Sequence, residues 1–273
     1  MAHEQQARYS NLVDAKLRST LVKKDGVIFN TRYEGNPTAG VVKIPVRDTE
    51  VTVSDYSKTN GAEATHGDTA YVDLVIDKDK AINEVIDGYD AASVPDNLVA
   101  DRLDSGTYSM ALQMEQDGTD VLEANATPAG GAEALSAENI YDKLVDFRTA
   151  MTKARVPNDG KRWALMSPDA YGLALKNENF IHATDLGDAV LQTGALGKIA
   201  GFLVFEDPTL SATTDFITGH PDWCSRVGEW SVPVHVQDLN GSGKYIGASA
   251  VQGRKVYGHK VTKKQTLLIK KNA

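Results

Sequence analysis

The sequence is short of cysteine and of long apolar runs. Its single cysteine, Cys224, excludes an internal disulfide framework, and we interpret this thiol as a buried small hydrophobic residue. No apolar run approaches the ~20 residues that a membrane-spanning helix needs, and the first residues lack the apolar core of a signal peptide. We therefore expect a soluble protein that is kept in a reducing compartment and has no membrane partner.

Acidic residues are absent from the C-terminal end of the chain. The formal charge of the 273 residues is -8, and eight lysines and arginines but no acids follow Asp238. The residues up to Asp238 therefore carry a net charge of -16. Such an acidic body repels phosphate backbones, whereas the basic end suits an acidic neighbour, in second place DNA, or a solvated edge strand.

Signatures of nucleotide binding and nucleophilic catalysis are also missing. The glycines around Lys198 suggest a phosphate-binding loop, but Gln192 replaces the first glycine of that motif and Ile199 its serine or threonine. The patterns G-x-G-x-x-G and G-x-S-x-G are absent, and the acidic run of residues 73–87 lacks the central glycine of a calcium loop. We therefore expect no catalytic, cofactor-binding or metal-binding residues.

The first third of the chain predicts an arm and a ribbon. Val13, Leu17 and Leu21 recur at a spacing of four, which predicts a short helical stripe on a polar arm. Residues 40–56 and 69–80 alternate apolar and polar side chains and predict two strands joined by a polar tip. Because an isolated two-stranded ribbon is marginal in water, it must lie on the body of the protein or on a neighbouring subunit.

A long helix follows at residues 93–125. Pro95 and Asp96 suit its start, and apolar residues recur with an eleven-residue period. Gly106 and Gly118 interrupt good helix formers at a cost of about 1 kcal/mol each relative to alanine. We expect either close packing at these two positions or a bend in the helix.

The remaining residues predict mixed helix and sheet. A glycine-rich linker, "TPAGGAEAL", precedes a second helix that starts near Ser136. "RWALMSP" predicts a buried strand, and Ser167 and Pro168 predict the cap and first residue of a further helix. In "LQTGALGKIAGFLVFED", Gly194 and Gly197 favour a turn, Gly201 a close backbone approach, and the last residues a strand. The fold class is therefore α+β.

This order of elements resembles the major capsid proteins of tailed bacteriophages, which have the Hong Kong 97-type shell fold. The phrases that carry the resemblance are "RWALMSPDAYGLAL", "GALGKIAGFLVFED" and "GRKVYGHKVTKKQTLLI", and it covers nearly the whole chain. It implies, in chain order, an N-terminal arm (1–39), an extended β-ribbon loop (40–86), a peripheral domain with a spine helix at about 96–125 and the start of an axial domain (87–214), the axial domain (215–249), and C-terminal strands that return to the peripheral domain (250–273).

The resemblance also implies a function and partners. The chain is expected to assemble with itself into pentamers and hexamers of an icosahedral shell, which encloses double-stranded DNA without sequence-specific binding. Portal and scaffolding proteins, the latter a separate protein, and decoration proteins are the other implied partners. Assembly is expected in the bacterial host cytoplasm, and the final location is the virion.

Intersubunit contacts are expected at the ribbon tip, at Lys58, Asn60, Gly61 and Glu63. Some family members join a lysine to an asparagine of a neighbour, and Lys58 is the candidate lysine here, but the sequence identifies no partner for it. Two alternatives stay open at this point. One is the shell protein of an encapsulin nanocompartment, which shares the fold, and the other is a small-molecule or phosphate-handling α/β enzyme, which predicts a monomer or dimer with a saturable ligand.

Overall fold

A computed structural model describes residues 16–33, 40–46, 50–62, 67, 69–93, 97–177 and 197–272. Its helices are α1 (Gly88–Ser93), α2 (Leu98–Asn125), α3 (Ile140–Lys153) and α4 (Pro168–Leu175). Its strands are β1 (Val41–Val46), β2 (Ala70–Val75), β3 (Lys78–Ile86), β4 (Thr127–Pro128), β5 (Trp163–Met166), β6 (Lys198–Ile199), β7 (Phe202–Glu206), β8 (Thr214–Gly219), β9 (Cys224–Asp238), β10 (Ser249–Val261) and β11 (Leu268–Lys271).

Some residues used in the sequence predictions lie outside the described ranges. They are Val13 of the arm, Glu63 of the ribbon tip, Pro95 and Asp96 before the long helix, and Gln192 and Gly194 of the glycine-containing stretch.

The strands form three sheets. β1 pairs with β2, the order β3-β10-β9 makes an antiparallel sheet, and the order β4-β11-β8-β5-β7-β6 makes a mixed one. Together with the helices, these sheets confirm the prediction of an α+β protein. Residues 215–249 contribute most of β8 to the six-stranded sheet and all of β9 to the three-stranded one. Strand patterns predict extended backbone, but partners distant in sequence are selected by packing.

The long helix is confirmed, and α2 begins after Asn97, a residue in the left-handed region. Both glycines within it lie against other elements. A Cβ atom on Gly106 would lie 3.2 Å from a methyl carbon of Val234, and one on Gly118 would lie 3.1 Å from the ring of Phe29. Close packing is therefore the reason for glycine at these two positions.

The predicted helical stripe of the arm is wrong for its described part, because residues 16–24 form no helix. Their backbone N–H groups donate instead to side chains of α2. The N–H of Ser19 donates to the hydroxyl of Tyr108, and the N–H groups of Val22 and Lys23 donate to the carboxylate of Glu115. These bonds replace the bonds that a helix would make within the arm, so the segment follows α2.

The six-stranded sheet has a hydrophobic core on each face. α3 and α4 cover one face, where Phe147 packs against Phe216 with ring centroids 4.8 Å apart. The other face buries Trp163 and Cys224 together with residues of the arm and of α2. Cys224 is fully buried and unpaired, and burial raises the pKa of its thiol to about 12. This confirms its interpretation as a small hydrophobic residue.

The predicted cap of α4 is also confirmed. The Oγ of Ser167 accepts the N–H of Ala170, with Pro168 as the first residue of α4. Ala200 and Gly201 both have positive φ and form the two-residue turn between β6 and β7, so this stretch is a hairpin. The close backbone approach predicted at Gly201 is wrong, because a Cβ atom there would lie 3.6 Å from the guanidinium of Arg148, an ordinary contact with a side chain; glycine suits this position because its φ is +89°.

Candidate intersubunit surfaces

The ribbon formed by β1 and β2 buries one of its two faces. Side chains of Ile44, Val46 and Leu74 pack against Val227 of β9. Next to this contact, β2 ends directly over β10, where a Cβ atom on Gly258 would lie 2.4 Å from the carbonyl oxygen of Val75. Because side chains alternate between the faces of a strand, burying this set directs the other set outward.

The outward face of the ribbon carries both charged and apolar side chains. Lys43 lies opposite Asp73 in the antiparallel register, so opposite charges are adjacent across the ribbon. Tyr71 is 65% exposed, and Val75 is 48% exposed. An aromatic ring and a β-branched residue on an uncovered strand pair are typical of a surface that another polypeptide covers.

The segment that follows the ribbon's first strand carries three strongly exposed apolar side chains within six residues. Val51 is 87% exposed, Val53 94% and Tyr56 76%. Residues 50–56 pair with no strand among the described residues, although valine, threonine and tyrosine favour extended structure. Unpaired backbone donors and acceptors next to exposed apolar side chains make an edge that favours pairing with another chain.

The ribbon tip is a closed turn. Ser57 and Gly61 exchange two backbone hydrogen bonds of 3.0 and 2.8 Å, and the Oγ of Ser57 accepts the N–H groups of Thr59 and Asn60. Gly61 has a φ of +73°, which favours glycine. Lys58 and Asn60 are exposed on this turn, and no described residue forms an ion pair with Lys58. The structure thus brings Lys58, Asn60 and Gly61 together.

The described part of the arm is fixed to the body by ion pairs along its length. On the surface Lys16 pairs with Asp101, Arg18 with Asp104 and Arg32 with Asp222. In the interior Lys23 pairs with Asp207, and the buried guanidinium of Arg226 pairs with the exposed carboxylate of Asp25. Lys23 and Asp207 are 184 residues apart, and nothing in the local sequence of either residue indicates the pair.

The titratable group around His220 is structural. The Nδ1 of buried His220 accepts the N–H of Asp222, so its Nε2 carries the proton and donates to Asp159 over 3.0 Å. This hydrogen bond is the main reason that the pKa of Asp159 is lowered to about 2. Across the described ranges, no three His, Cys, Asp or Glu side chains group as a metal site would require. None of the helices in those ranges combines the length and apolarity needed to cross a bilayer.

Comparisons with known proteins were made by sequence and by structure. The family model described as "Phage capsid protein" matches residues 84–261, which run from the end of β3 to the last residue of β10. No curated protein sequence matches the chain.

Three solved structures share the fold at low sequence identity. The first is from Mycobacterium phage Che8, with 24% identity, a TM-score of 0.81, and coverage of 97% of this chain and 96% of that one. The second is the capsid structure of Cyanophage P-SCSP1u, with 13% identity, a TM-score of 0.80, and coverage of 98% of this chain and 93% of that one. The third is the capsid of the native GTA particle, with 14% identity, a TM-score of 0.70, and coverage of 98% of this chain and 95% of that one. Because the family model covers most of the sequence, the chain belongs to the phage capsid protein family.

Proposed function

We propose that this capsid protein is the major subunit of a tailed-phage head with the Hong Kong 97-type shell fold, and that it assembles into pentamers and hexamers around double-stranded DNA. The observation that supports assembly best is the uncovered segment with Val51, Val53 and Tyr56. A monomer that left these side chains in water would forgo about 1.5 to 3 kcal/mol per side chain relative to burial. A neighbouring copy that covers them supplies this stabilisation.

The sheets support a proposed division of the chain into the parts of the shell fold. The peripheral domain combines α2, as the spine helix, with the three-stranded sheet of β3, β10 and β9. The axial domain combines the six-stranded sheet with α3 and α4. The ribbon is the extended loop that lies on an adjacent subunit, and its tip residues Lys58, Asn60, Gly61 and Glu63 contact that subunit.

Charge fits the role of a container. The net charge of -16 on the residues up to Asp238 disfavours tight binding of DNA, so the shell encloses the genome without binding it tightly. Portal, scaffolding and decoration proteins are the proposed partners besides other copies of the chain. Assembly takes place in the host cytoplasm, and the product is the virion shell.

Sedimentation and electron microscopy of the purified protein test this proposal. We expect uniform closed shells of megadalton mass, or rings of five and six subunits. Shells that form and package cargo enzymes in place of DNA when produced in the native host would instead identify an encapsulin. A monomer of 29.4 kDa under all assembly conditions, with a melting temperature that depends on a small ligand, would overturn the proposal in favour of an enzyme.

A further inference from the structure

A cavity of about 580 Å³ lies between the arm, α2 and the three-stranded sheet. Its volume falls within the range of about 300 to 1,000 Å³ that is usual for small-molecule sites. Much of its wall is apolar and consists of Leu21, Met110, Ala111, Met114, Val232 and Val234. The residues that α2 contributes are spaced three and four apart, so they share one face of the helix.

A β-bulge shapes the sheet side of this cavity. Gln252 pairs with His235 and Arg254 pairs with Val232, so Pro233 and Val234 together oppose Gly253. The extra residue bends β9 locally, and both bulged residues line the cavity. Gly253 is needed opposite them, because a Cβ atom there would lie 2.8 Å from a methyl carbon of Val234.

One positive charge in the wall has no partner among the described residues. Four cationic side chains line the cavity, and three of them pair with carboxylates: Lys23 with Asp207, Arg226 with Asp25, and Arg254 with Asp79. The fourth, Lys255, is half-buried, and within the described ranges its ammonium group has neither an ion pair nor a hydrogen bond. Its pKa is lowered, mainly by burial and further by the charge of Arg226.

The acidic side chain in the cavity wall, Glu115, is already hydrogen-bonded. The carboxylate of Glu115 accepts the backbone N–H groups of Val22 and Lys23, which fixes the arm to α2. The charge of Asp25 also acts on Lys255, but the Asp25 carboxylate forms its ion pair with Arg226. A largely apolar cavity with one ammonium group that forms no ion pair with a described residue suits a ligand that has one negative charge and an apolar body. Burial of the lysine strengthens its attraction for such a charge, because water screens the pair less.

We propose that this cavity binds an alkyl carboxylate, whose charge pairs with the ammonium group of Lys255 and whose chain lies against Met110 and Met114. All the described residues that line the cavity belong to one chain, so the proposal does not rest on the shell that is proposed above. Its failure would leave the proposed assembly unaffected, and failure to assemble would leave the cavity in place.

Isothermal titration of the full-length purified protein with decanoate tests the site, with 1-decanol as the neutral analogue. We expect saturable binding of one decanoate per chain and at least about tenfold weaker binding of decanol, because a hydrogen bond to a charged group is lost. Lys255→Gln should weaken decanoate binding by about tenfold or more. Lys260→Gln, the same change on the same strand outside the cavity, should leave it unchanged.

A second variant tests the location without removing a charge. Ala111→Phe places a ring inside the cavity and should abolish decanoate binding while the melting temperature of the ligand-free protein stays the same or rises. The proposal is overturned if wild-type protein shows no saturable binding. It is also overturned if decanol binds as tightly as decanoate, or if the two lysine variants weaken binding equally.

Discussion

The ammonium nitrogen of Lys23 lies 2.5 Å from a carboxylate oxygen of Asp207, and both side chains are fully shielded from solvent. The same ammonium group donates to the hydroxyl of Thr209, which in turn bonds to the other oxygen of Asp207 and contacts Thr119 of α2. One residue of the arm is therefore hydrogen-bonded into the loop after β7, beside the long helix. The arm links the six-stranded sheet to α2 at this point.

Removal of this ammonium group should destabilise the subunit strongly. Lys23→Met leaves the Asp207 carboxylate buried without its cation, and we expect the free energy of unfolding to fall by about 3 kcal/mol or more. Urea denaturation of the unassembled subunit measures this. Lys16→Met is the matched control, because its pair with Asp101 is about one-third exposed and should contribute less than about 1 kcal/mol. Equal losses in the two variants would contradict the prediction.

His259 should make stability depend on pH. The ring is buried beside Phe29 and Tyr257, and neither nitrogen has a hydrogen-bond partner among the described residues. Burial is the main cause that lowers its pKa to about 3, from 6.5 in the unfolded chain. Between these values the unfolded chain binds a proton that the folded chain does not, so stability falls as the pH falls from about 6.5 to about 3.

The variant His259→Leu tests this dependence. We expect the loss of unfolding free energy between pH 7 and pH 4.5 to be smaller in the variant than in the wild type, by an amount of the order of 1 kcal/mol or more. Urea denaturation at the two pH values measures the difference. The same loss in both proteins would show that His259 binds its proton equally well in the folded and unfolded chains.

Alanine should have opposite effects at two helical glycines. Gly118→Ala brings a Cβ atom to 3.1 Å from the fully buried ring of Phe29, and we expect a net loss of about 1 kcal/mol after the gain in helix propensity. A Cβ atom on Gly172 in α4 would have no described atom within 4 Å, so Gly172→Ala should stabilise by about 0.5 to 1 kcal/mol. Thermal melting of both variants measures the sign. Stabilisation by Gly118→Ala would mean that Phe29 moves easily.

The uncovered segment should serve assembly more than folding. The triple variant with Val51→Ser, Val53→Ser and Tyr56→Ser should melt within about 4 °C of the wild type, since each surface change rarely exceeds about 0.5 kcal/mol. It should form few or no shells in sedimentation. Leu74→Ser, on the buried face of the same ribbon, is the contrasting variant and should lower the melting temperature. Normal shell yield from the triple variant would show that other surfaces suffice.

Sequence reasoning succeeded where the physical cause is local. The cap at Ser167, the strand that ends at Glu206 and the length of α2 all follow from neighbouring residues. From the sequence, the two glycines of α2 indicated either close packing or a bend in the helix. The positions of Phe29 and Val234 in the structure show that the reason is close packing.

The rest depends on contacts between distant parts of the chain. The sequence predicted the two ribbon strands, but the face that they bury is set by Val227, about 150 residues after the ribbon. β3 pairs with β10, and local patterns carry no information about that choice. The arm was predicted to be helical because its spacing fits a helix, yet the bonds to Tyr108 and Glu115 favour extended backbone.

The attachment of the ribbon has a mechanical consequence. Val227, which packs against the ribbon core, and Gly258, which lies under the end of β2, are directly opposite each other on β9 and β10. The ribbon therefore contacts the three-stranded sheet at one pair of opposite residues, Val227 and Gly258. A force that a neighbouring subunit exerts on the ribbon tip would reach the sheet through this residue pair. We therefore expect the size of the side chain at position 227 to determine how easily the ribbon changes its angle to the sheet.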